Sequence, residues 1–138
     1  MTPLSQALDA IGAGSRAGAH DSIEFVTGQL ALFREERDWG RFHTPKNLAV
    51  SIMIEAGELL EHFQWIGDEE IPGYVAQHRA DVAEELADVA IYVMQLAEVV
   101  GISLADALRD KLALNAERYP LRVSRGSHAK HTQLTTKN

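Results

Sequence analysis

The chain has 138 residues, of which 46% are hydrophobic, so it can bury the core of one compact domain. Its formal net charge is −7, which argues against sequence-independent binding of a nucleic acid polymer, since that binding needs Lys and Arg at the phosphates. Cysteine is absent, so disulfides and thiolate metal sites are excluded, and any metal must have oxygen or imidazole ligands.

The N-terminal part of the chain predicts little regular structure. Residues 1–20 carry several glycines and weak periodicity, which indicate a flexible segment with one short helix at most. A first helix is predicted from about Ser22 to Arg37, where apolar residues recur at helical spacing. No basic segment leads into a long apolar run, so we expect a cytoplasmic protein that makes no membrane contact.

A loop separates the first helix from a second one. Thr44 can cap this second helix and Pro45 can occupy its first turn, where an amide hydrogen is not needed. The helix is predicted to run to about Trp65. The glycines and the proline between residues 66 and 79 then predict a solvated loop.

The third helix has the clearest pattern. Apolar residues line one face from about Ala80 to Val100, and Gly101 ends the stripe. Ser103 can cap a fourth helix, which stops before Pro120. Alternating strand patterns and internal repeats are absent from the sequence. The predicted fold is therefore all-α, with four main helices.

Charge is distributed unevenly along the chain. From Arg118 onward there are five Lys or Arg residues and no acidic residue, whereas the part before it carries eight basic and twenty acidic side chains. We therefore predict a helical domain over residues 21–120, followed by a basic tail over residues 121–138.

Two acidic pairs stand on consecutive long helices. Glu55 and Glu58 lie three residues apart on the second helix, and Glu85 and Asp88 repeat that spacing on the third, so each pair shares a helical face. An acidic stripe on a single helix is usually a solvated face. Antiparallel packing of two such helices would bring four carboxylates together, which favours a site for Mg²⁺, and their total charge favours more than one ion beside a triphosphate.

Aromatic residues and histidines leave alternatives open. Trp65 and Tyr92 stand at the ends of the two polar stripes, and each fits either a nucleobase stacking position or a core or interface position. His43 is read as a loop residue and His62 as a helix-surface residue, in preference to metal ligands.

Several motifs surround the acidic pairs, over roughly residues 25 to 130. They are Glu36-Arg37-Asp38-Trp39, Phe42-His43-x-Pro45-x-Asn47-Leu48, Glu58-Leu59-x-Glu61-x-Phe63-Gln64-Trp65, Glu84-Glu85-Leu86-Ala87-Asp88-Val89-x-Ile91-Tyr92, and Lys111 through Asn115 to Arg118-Tyr119-Pro120. Together with the acidic pairs, these motifs resemble the MazG-like, all-α nucleoside triphosphate pyrophosphohydrolases, and within them the dCTP pyrophosphatase branch.

The resemblance implies a role for each matching residue. Mg²⁺, with Mn²⁺ as an alternative ion, would be held by Glu55, Glu58, Glu85 and Asp88. Base and sugar recognition would involve Trp39, His43, Asn47, Trp65 and Tyr92, and the sugar or phosphates would be reached by Lys111 and Asn115. Glu61 and Glu84 border the metal stripe and are the candidates for a general base.

The resemblance also implies a reaction and an assembly. Water would attack the α-phosphorus of a nucleoside triphosphate, with dCTP or a modified dCTP favoured, and release the monophosphate and pyrophosphate. Such an enzyme clears surplus or modified nucleotides. A four-helix bundle that assembles into homodimers or homotetramers is expected.

Other functions remain open on the sequence alone. Hydrolysis of dUTP or phosphoribosyl-ATP would use a similar acidic cluster in the same superfamily. A non-catalytic helical interaction module would use the acidic faces for solubility or partner choice. A ferritin-like di-iron protein requires Glu-x-x-His pairs, and this chain contains none.

Overall fold

Helices make up the regular structure of the protein. The computed structural model describes Gln6, residues 22–130 and Thr132, and these residues include no strand. The predicted all-α class is confirmed, whereas the predicted flexible segment lies outside the described residues except for Gln6. Over residues 22–130 the helices are α1 (Ile23–Glu36), α2 (Pro45–Glu61), α3 (Ile71–Gln77), α4 (Arg79–Val99), α5 (Leu104–Arg118) and α6 (Leu121–Ser124).

The prediction of four helices was too low, since residues 22–130 contain six. The two additional helices, α3 and α6, are short. Pro72 lies in the first turn of α3, where its missing amide hydrogen is not needed, so it starts this helix instead of breaking it. Helix α2 ends at Glu61, before the predicted end at Trp65. A tighter turn follows, in which the Phe63 N–H bonds to the Leu60 carbonyl at 3.0 Å.

The predicted caps of two helices are confirmed. The Thr44 hydroxyl accepts a hydrogen bond from the Asn47 N–H at 3.3 Å, and Pro45 is the first residue of α2. The Ser103 hydroxyl accepts from the Asp106 N–H, also at 3.3 Å. Each cap satisfies an amide hydrogen that has no partner within the helix.

The predicted stop of α4 at Gly101 is also confirmed. Gly101 has a φ of 70°, a left-handed conformation that glycine adopts without a steric penalty. Its N–H bonds to the Glu98 carbonyl at 3.0 Å, and the Ile102 N–H bonds to the Ala97 carbonyl at 2.8 Å. These two bonds form a Schellman motif, which satisfies the carbonyls at the end of the helix.

The chain divides into two compact units, Met1–Ile102 and Ser103–Asn138. In the first unit α4 packs against α1, α2 and α3, most extensively against α2. Leu48 of α2 is 1% exposed, and Val82 and Ala97 of α4 are also buried. An ion pair between Arg34 and Glu98 joins α1 to the last turns of α4. The packing of α2 on α4 is therefore the feature that positions the acidic pairs.

The second unit contains α5 and α6. None of the residues in these two helices is buried. The Ser124 hydroxyl donates to the Pro120 carbonyl at 2.9 Å, which closes the single turn of α6. No single helix among the described residues is long and apolar enough to cross a bilayer, although α4 and α5 taken together meet that criterion by length and composition.

Candidate active site

Three carboxylates meet between α2 and α4. Glu55 and Glu58 project from one face of α2, as their spacing requires, and Glu85 faces them from α4. Oxygen atoms of the three side chains lie within 4.8 Å of one another. Asp88 is outside this triad, although its charge acts on both Glu55 and Glu85. The structure thus brings three of the four predicted carboxylates together and keeps the fourth nearby.

The electrostatics of this cluster favour protons or cations. Burial raises the pKa of Glu55, and the charges of Glu58, Asp88 and Glu85 add to that effect. Burial also raises the pKa of Glu85, followed by the charges of Glu58 and Asp88. Like charges at this distance disfavour the ionised form of each carboxyl group. A bound cation would remove that penalty.

The hydrogen bonding of Glu85 tests whether a metal ion would suit these residues. Its Oε2 atom is buried and has no hydrogen-bond partner. An ionised carboxylate can only accept hydrogen bonds, and neither Glu55 nor Glu58 can donate one while ionised. Hard divalent ions prefer carboxylate oxygen ligands. The residues present therefore fit such an ion.

The interactions of the cluster also give the direction of the helices. His43, just before the start of α2, interacts with Gln95 late in α4. Glu61 and His62, at the end of α2, line one cleft with Glu85 early in α4. Residues later in α2 thus face residues earlier in α4, so the two helices run antiparallel.

The loop between α1 and α2 presents Trp39 and His43. The Trp39 ring meets Phe33 edge-on at 5.7 Å and lies 5.8 Å from the His43 ring. The Asn47 side chain donates to the Phe42 carbonyl at 2.9 Å, which fixes the loop on the first turn of α2. Trp39 is nevertheless 41% exposed. The loop is held in place while part of the indole stays available for stacking.

The surroundings of His43 favour the neutral form of its imidazole ring. Burial lowers its pKa, the charge of Arg34 lowers it further, and Gln95 acts in the opposite direction. Its Nδ1 atom is buried without a hydrogen-bond partner. A neutral ring with an unpaired nitrogen can accept or donate one hydrogen bond to a ligand, depending on its tautomer.

The face of α4 that carries Asp88 continues through Tyr92 and Gln95, four and seven residues further along. Gln95 is only 4% exposed, and its Oε1 atom has no hydrogen-bond partner. The sequence analysis did not select Gln95 as a site residue. Its place on the polar stripe of α4 is the signal that could have identified it, and a buried amide oxygen without a partner is unusual.

The model of the MazG-like family matches residues 50–134. The chain belongs to the MazG-like family. Its curated relatives include dCTP pyrophosphatase 1 from Mus musculus, which is 42% identical over 122 residues that cover 86% of this chain and 71% of the relative. The same enzyme from Bos taurus is 46% identical over 116 residues, covering 82% of this chain and 68% of the relative.

A solved structure agrees with the fold of this MazG-like chain. The crystal structure of a pyrophosphatase from Archaeoglobus fulgidus superposes with a TM-score of 0.69 at 40% sequence identity. The alignment covers 77% of this chain and 99% of the archaeal chain. The family resemblance of the motifs is therefore confirmed.

Trp65, Lys111 and Asn115 are the remaining residues that the sequence predicts to recognise the substrate. Trp65 follows the end of α2, is 86% exposed, and forms no aromatic pair with the other described rings. Lys111 and Asn115 lie four residues apart on one face of α5, in the second unit. Lys111 is exposed and Asn115 is half-buried. The roles of all three stay predictions.

The two candidates for a general base differ in position. Glu61 lines a cleft of about 410 Å³ with Glu58 and Glu85. Glu84 is exposed, and its effect in raising the pKa of Glu85 is weaker than that of Glu58. Glu61 therefore shares a cavity with two members of the cluster.

His62 and Tyr74 complete the lining of that cleft. His62 occupies the C-cap position of α2, is half-buried and bonds to Tyr74 at 2.8 Å. The preference for a helix-surface residue over a metal ligand stays a prediction. Tyr74 lies on α3, which the sequence analysis did not predict. The hydrogen-bond partner of His62 therefore lies in a segment that the sequence predicts to be a loop.

Proposed function

We propose that this MazG-like chain is a nucleoside triphosphate pyrophosphohydrolase that converts dCTP, or a modified dCTP, to the monophosphate and pyrophosphate. The cluster of Glu55, Glu58 and Glu85 carries this proposal. Ionised together, these groups repel one another, and a buried oxygen of Glu85 has no partner. A divalent ion with bound phosphates would remove the repulsion and would give this oxygen a partner. The names of the curated relatives support the substrate class.

The proposed cofactor is Mg²⁺, with Mn²⁺ as an alternative ion. Glu55, Glu58 and Glu85 would hold it, and Asp88 would join them from the next turn of α4 or hold a second ion. When bound, the metal neutralises phosphate oxygens and activates water for attack at the α-phosphorus. The protein contributes the fixed geometry of the carboxylates, which the α2–α4 packing provides.

The nucleoside is proposed to extend along α4 from the acidic cluster toward Tyr92 and Gln95. Tyr92 stands about 6 Å along the helix axis from Asp88, and Gln95 about 10 Å, at 1.5 Å per residue. Those distances suit a sugar and a base attached to a phosphate held at the cluster. Trp39 and His43 would border the base, and Asn47 would hold their loop through its bond to Phe42.

The remaining predicted residues are proposed to act from outside the cluster. Lys111 and Asn115 would reach the sugar or the phosphates. Trp65, which is 86% exposed, would stack on a base bound mainly by another subunit. The site would then be complete only in a homodimer or in a homotetramer of paired dimers.

The domain organisation proposed from the sequence is also kept. Residues 21–120 would form the catalytic domain, a bundle whose main helices are α1, α2, α4 and α5. Residues 121–138 would form a basic tail that screens phosphates. The match to the family model extends to residue 134, which supports a role for most of this tail.

A substrate panel tests the proposal. Canonical and 5-substituted deoxynucleoside triphosphates are incubated with Mg²⁺, and the monophosphate, pyrophosphate and orthophosphate are measured. We expect the monophosphate and pyrophosphate in equal amounts, with the highest kcat/KM for cytosine nucleotides. Preference for dUTP, or for added phosphoribosyl-ATP, would select an alternative substrate of the same superfamily. Orthophosphate release, or no turnover of any nucleotide, would contradict the proposal, and the latter would favour an interaction module.

Variants of the cluster give a second test. Glu55→Gln and Asp88→Asn each remove one charge at nearly constant shape and should lower kcat by about two orders of magnitude, because stabilisation of developing charge depends on them. Asp68→Asn, in the exposed loop after α2, changes the net charge equally and should leave kcat unchanged. Near-normal activity of either cluster variant, with its fold verified by circular dichroism, would remove that residue from the site.

A further inference from the structure

His62 is held at the edge of the acidic cluster by a set of aromatic contacts. Its Nδ1 atom lies 2.8 Å from the Tyr74 hydroxyl. The Tyr74 ring in turn stacks on His78, with ring centres 4.4 Å apart, and meets Phe63 edge-on at 6.3 Å. The short helix α3 thus fixes Tyr74, and Tyr74 fixes the orientation of the His62 imidazole.

The cleft beside this pair contains few hydrogen-bond donors. It has a volume of about 410 Å³ and is lined by Glu58, Glu61, His62, Tyr74 and Glu85. The three carboxylates can only accept hydrogen bonds when ionised, so His62 and Tyr74 supply the donors of this lining. An anion that enters the cleft can therefore be received by His62.

The cleft lies at the opposite end of the cluster from Tyr92 and Gln95. Because α2 and α4 run antiparallel, His62 near the end of α2 faces the part of α4 before Asp88. Tyr92 lies beyond Asp88. A triphosphate whose nucleoside extends toward Tyr92 therefore extends its β- and γ-phosphates toward His62.

We propose that His62, oriented by Tyr74, binds the two phosphates that leave as pyrophosphate; this inference rests on the proposed function of the cluster. In the proposed arrangement the Tyr74 hydroxyl donates to Nδ1 of His62, and the ring carries a proton on Nε2. Nε2–H then donates to an oxygen of the leaving group. Tyr74 is a positioning residue in this arrangement, because it acts on the substrate through His62.

The proposal has a consequence for the attacking water. In-line displacement places the nucleophile and the leaving group on opposite sides of the phosphorus. Glu61 lines the same cleft as His62, so it would lie on the side of the leaving group, away from the attacking water.

Binding of inorganic pyrophosphate in the presence of Mg²⁺, measured by calorimetry, tests the role of the pair without turnover. Tyr74→Phe removes one oxygen and keeps the ring that contacts His78 and Phe63. The variant should weaken pyrophosphate binding about tenfold, because a His62 ring that Tyr74 no longer orients loses its hydrogen bond to the charged phosphate. Binding of dCMP, which lacks the leaving phosphates, should change less than about twofold.

Two substitutions of His62 provide the matched comparison. His62→Asn retains an amide near the position of Nδ1 but lacks a donor near Nε2, so it should weaken pyrophosphate binding about tenfold. His62→Gln retains a donor near Nε2 and should restore most of the affinity. Unchanged pyrophosphate binding in Tyr74→Phe and His62→Asn would overturn the proposal, and so would equal weakening of pyrophosphate and dCMP. If the wild type bound pyrophosphate through this pair but hydrolysed no nucleotide, the proposed function would fail while the binding role stood.

Discussion

The ionised carboxyl group of Glu85 suits the candidate metal site but lowers the stability of the fold. Burial and the charges of Glu58 and Asp88 raise its pKa above the ordinary value of 4.5. A raised pKa means that the folded state binds the proton more tightly than the unfolded state does. Stability from this group is therefore present in acid and is lost as the pH rises from 4.5 through the folded-state pKa. At neutral pH the ionised cluster destabilises the fold unless a cation binds.

Glu85→Gln tests this conflict by thermal unfolding. In metal-free buffer at neutral pH the variant should have a higher Tm than the wild type, because one of the mutually repelling charges is gone. Mg²⁺ should raise the Tm of the wild type, since a ligand that binds only the folded state stabilises it, and should have little effect on the variant. Asp68→Asn should retain the full Mg²⁺ shift. A variant that is less stable than the wild type without metal, or equally stabilised by Mg²⁺, would contradict this account.

At the scale of single residues, the sequence predicts well which side chains share one face of a helix. It predicts poorly how deeply a side chain is buried and which distant residues it contacts. The three-residue spacing of Glu55 and Glu58 is enough to place both on one face of a helix. The bond between His62 and Tyr74 joins residues twelve positions apart across a segment without helical periodicity. The 4% exposure of Gln95 likewise depends on neighbours from other elements, which its own polar character does not predict.

At the scale of helices, long periodic segments and their caps were predictable because the signals are local. Thr44 and Ser103 have the side-chain chemistry that an N-cap requires, and both act as caps. The sequence does not predict the short helix α3, because seven residues are too few for a clear periodicity and a proline more often breaks a helix than starts one. Since α3 carries Tyr74, this error also removed one wall of the cleft from the predicted site.

Two glycines should respond in opposite ways to the same substitution. Gly101 has a φ of 70° and open space around an added Cβ, so Gly101→Ala meets only the backbone penalty of the left-handed region, about 1 kcal/mol. Gly28 lies inside α1 with equally open space, so Gly28→Ala should stabilise the protein by about 1 kcal/mol through higher helix propensity. Urea unfolding of both variants measures these changes. Equal shifts of the same sign would show that the conformation at Gly101 does not control stability.

The whole molecule leaves an unusual amount of apolar surface uncovered. Leu48, Val82 and Ala97 are the buried apolar residues among those described. On α2, the face formed by Lys46, Ala49, Val50, Met53 and Ile54 lines an apolar groove of about 470 Å³. Glu55 and Glu58 point from a different part of the same helix toward α4. One helix thus carries both the candidate site and an exposed apolar face, where the proposed assembly can be tested.

Met53 is 72% exposed in the middle of that groove and is the position at which the proposed assembly can be tested. In a twofold dimer the same face meets itself, so Met53→Glu places two charges in one apolar contact. We expect the wild type to elute as a dimer or tetramer in size-exclusion chromatography with light scattering, and Met53→Glu to elute as a monomer with a lower Tm. Met53→Leu keeps the groove apolar and should keep the wild-type mass. If Met53→Glu retained that mass, the α2 face would not be the contact between subunits. A different interface would then have to bring Trp65 to the site of a neighbouring subunit.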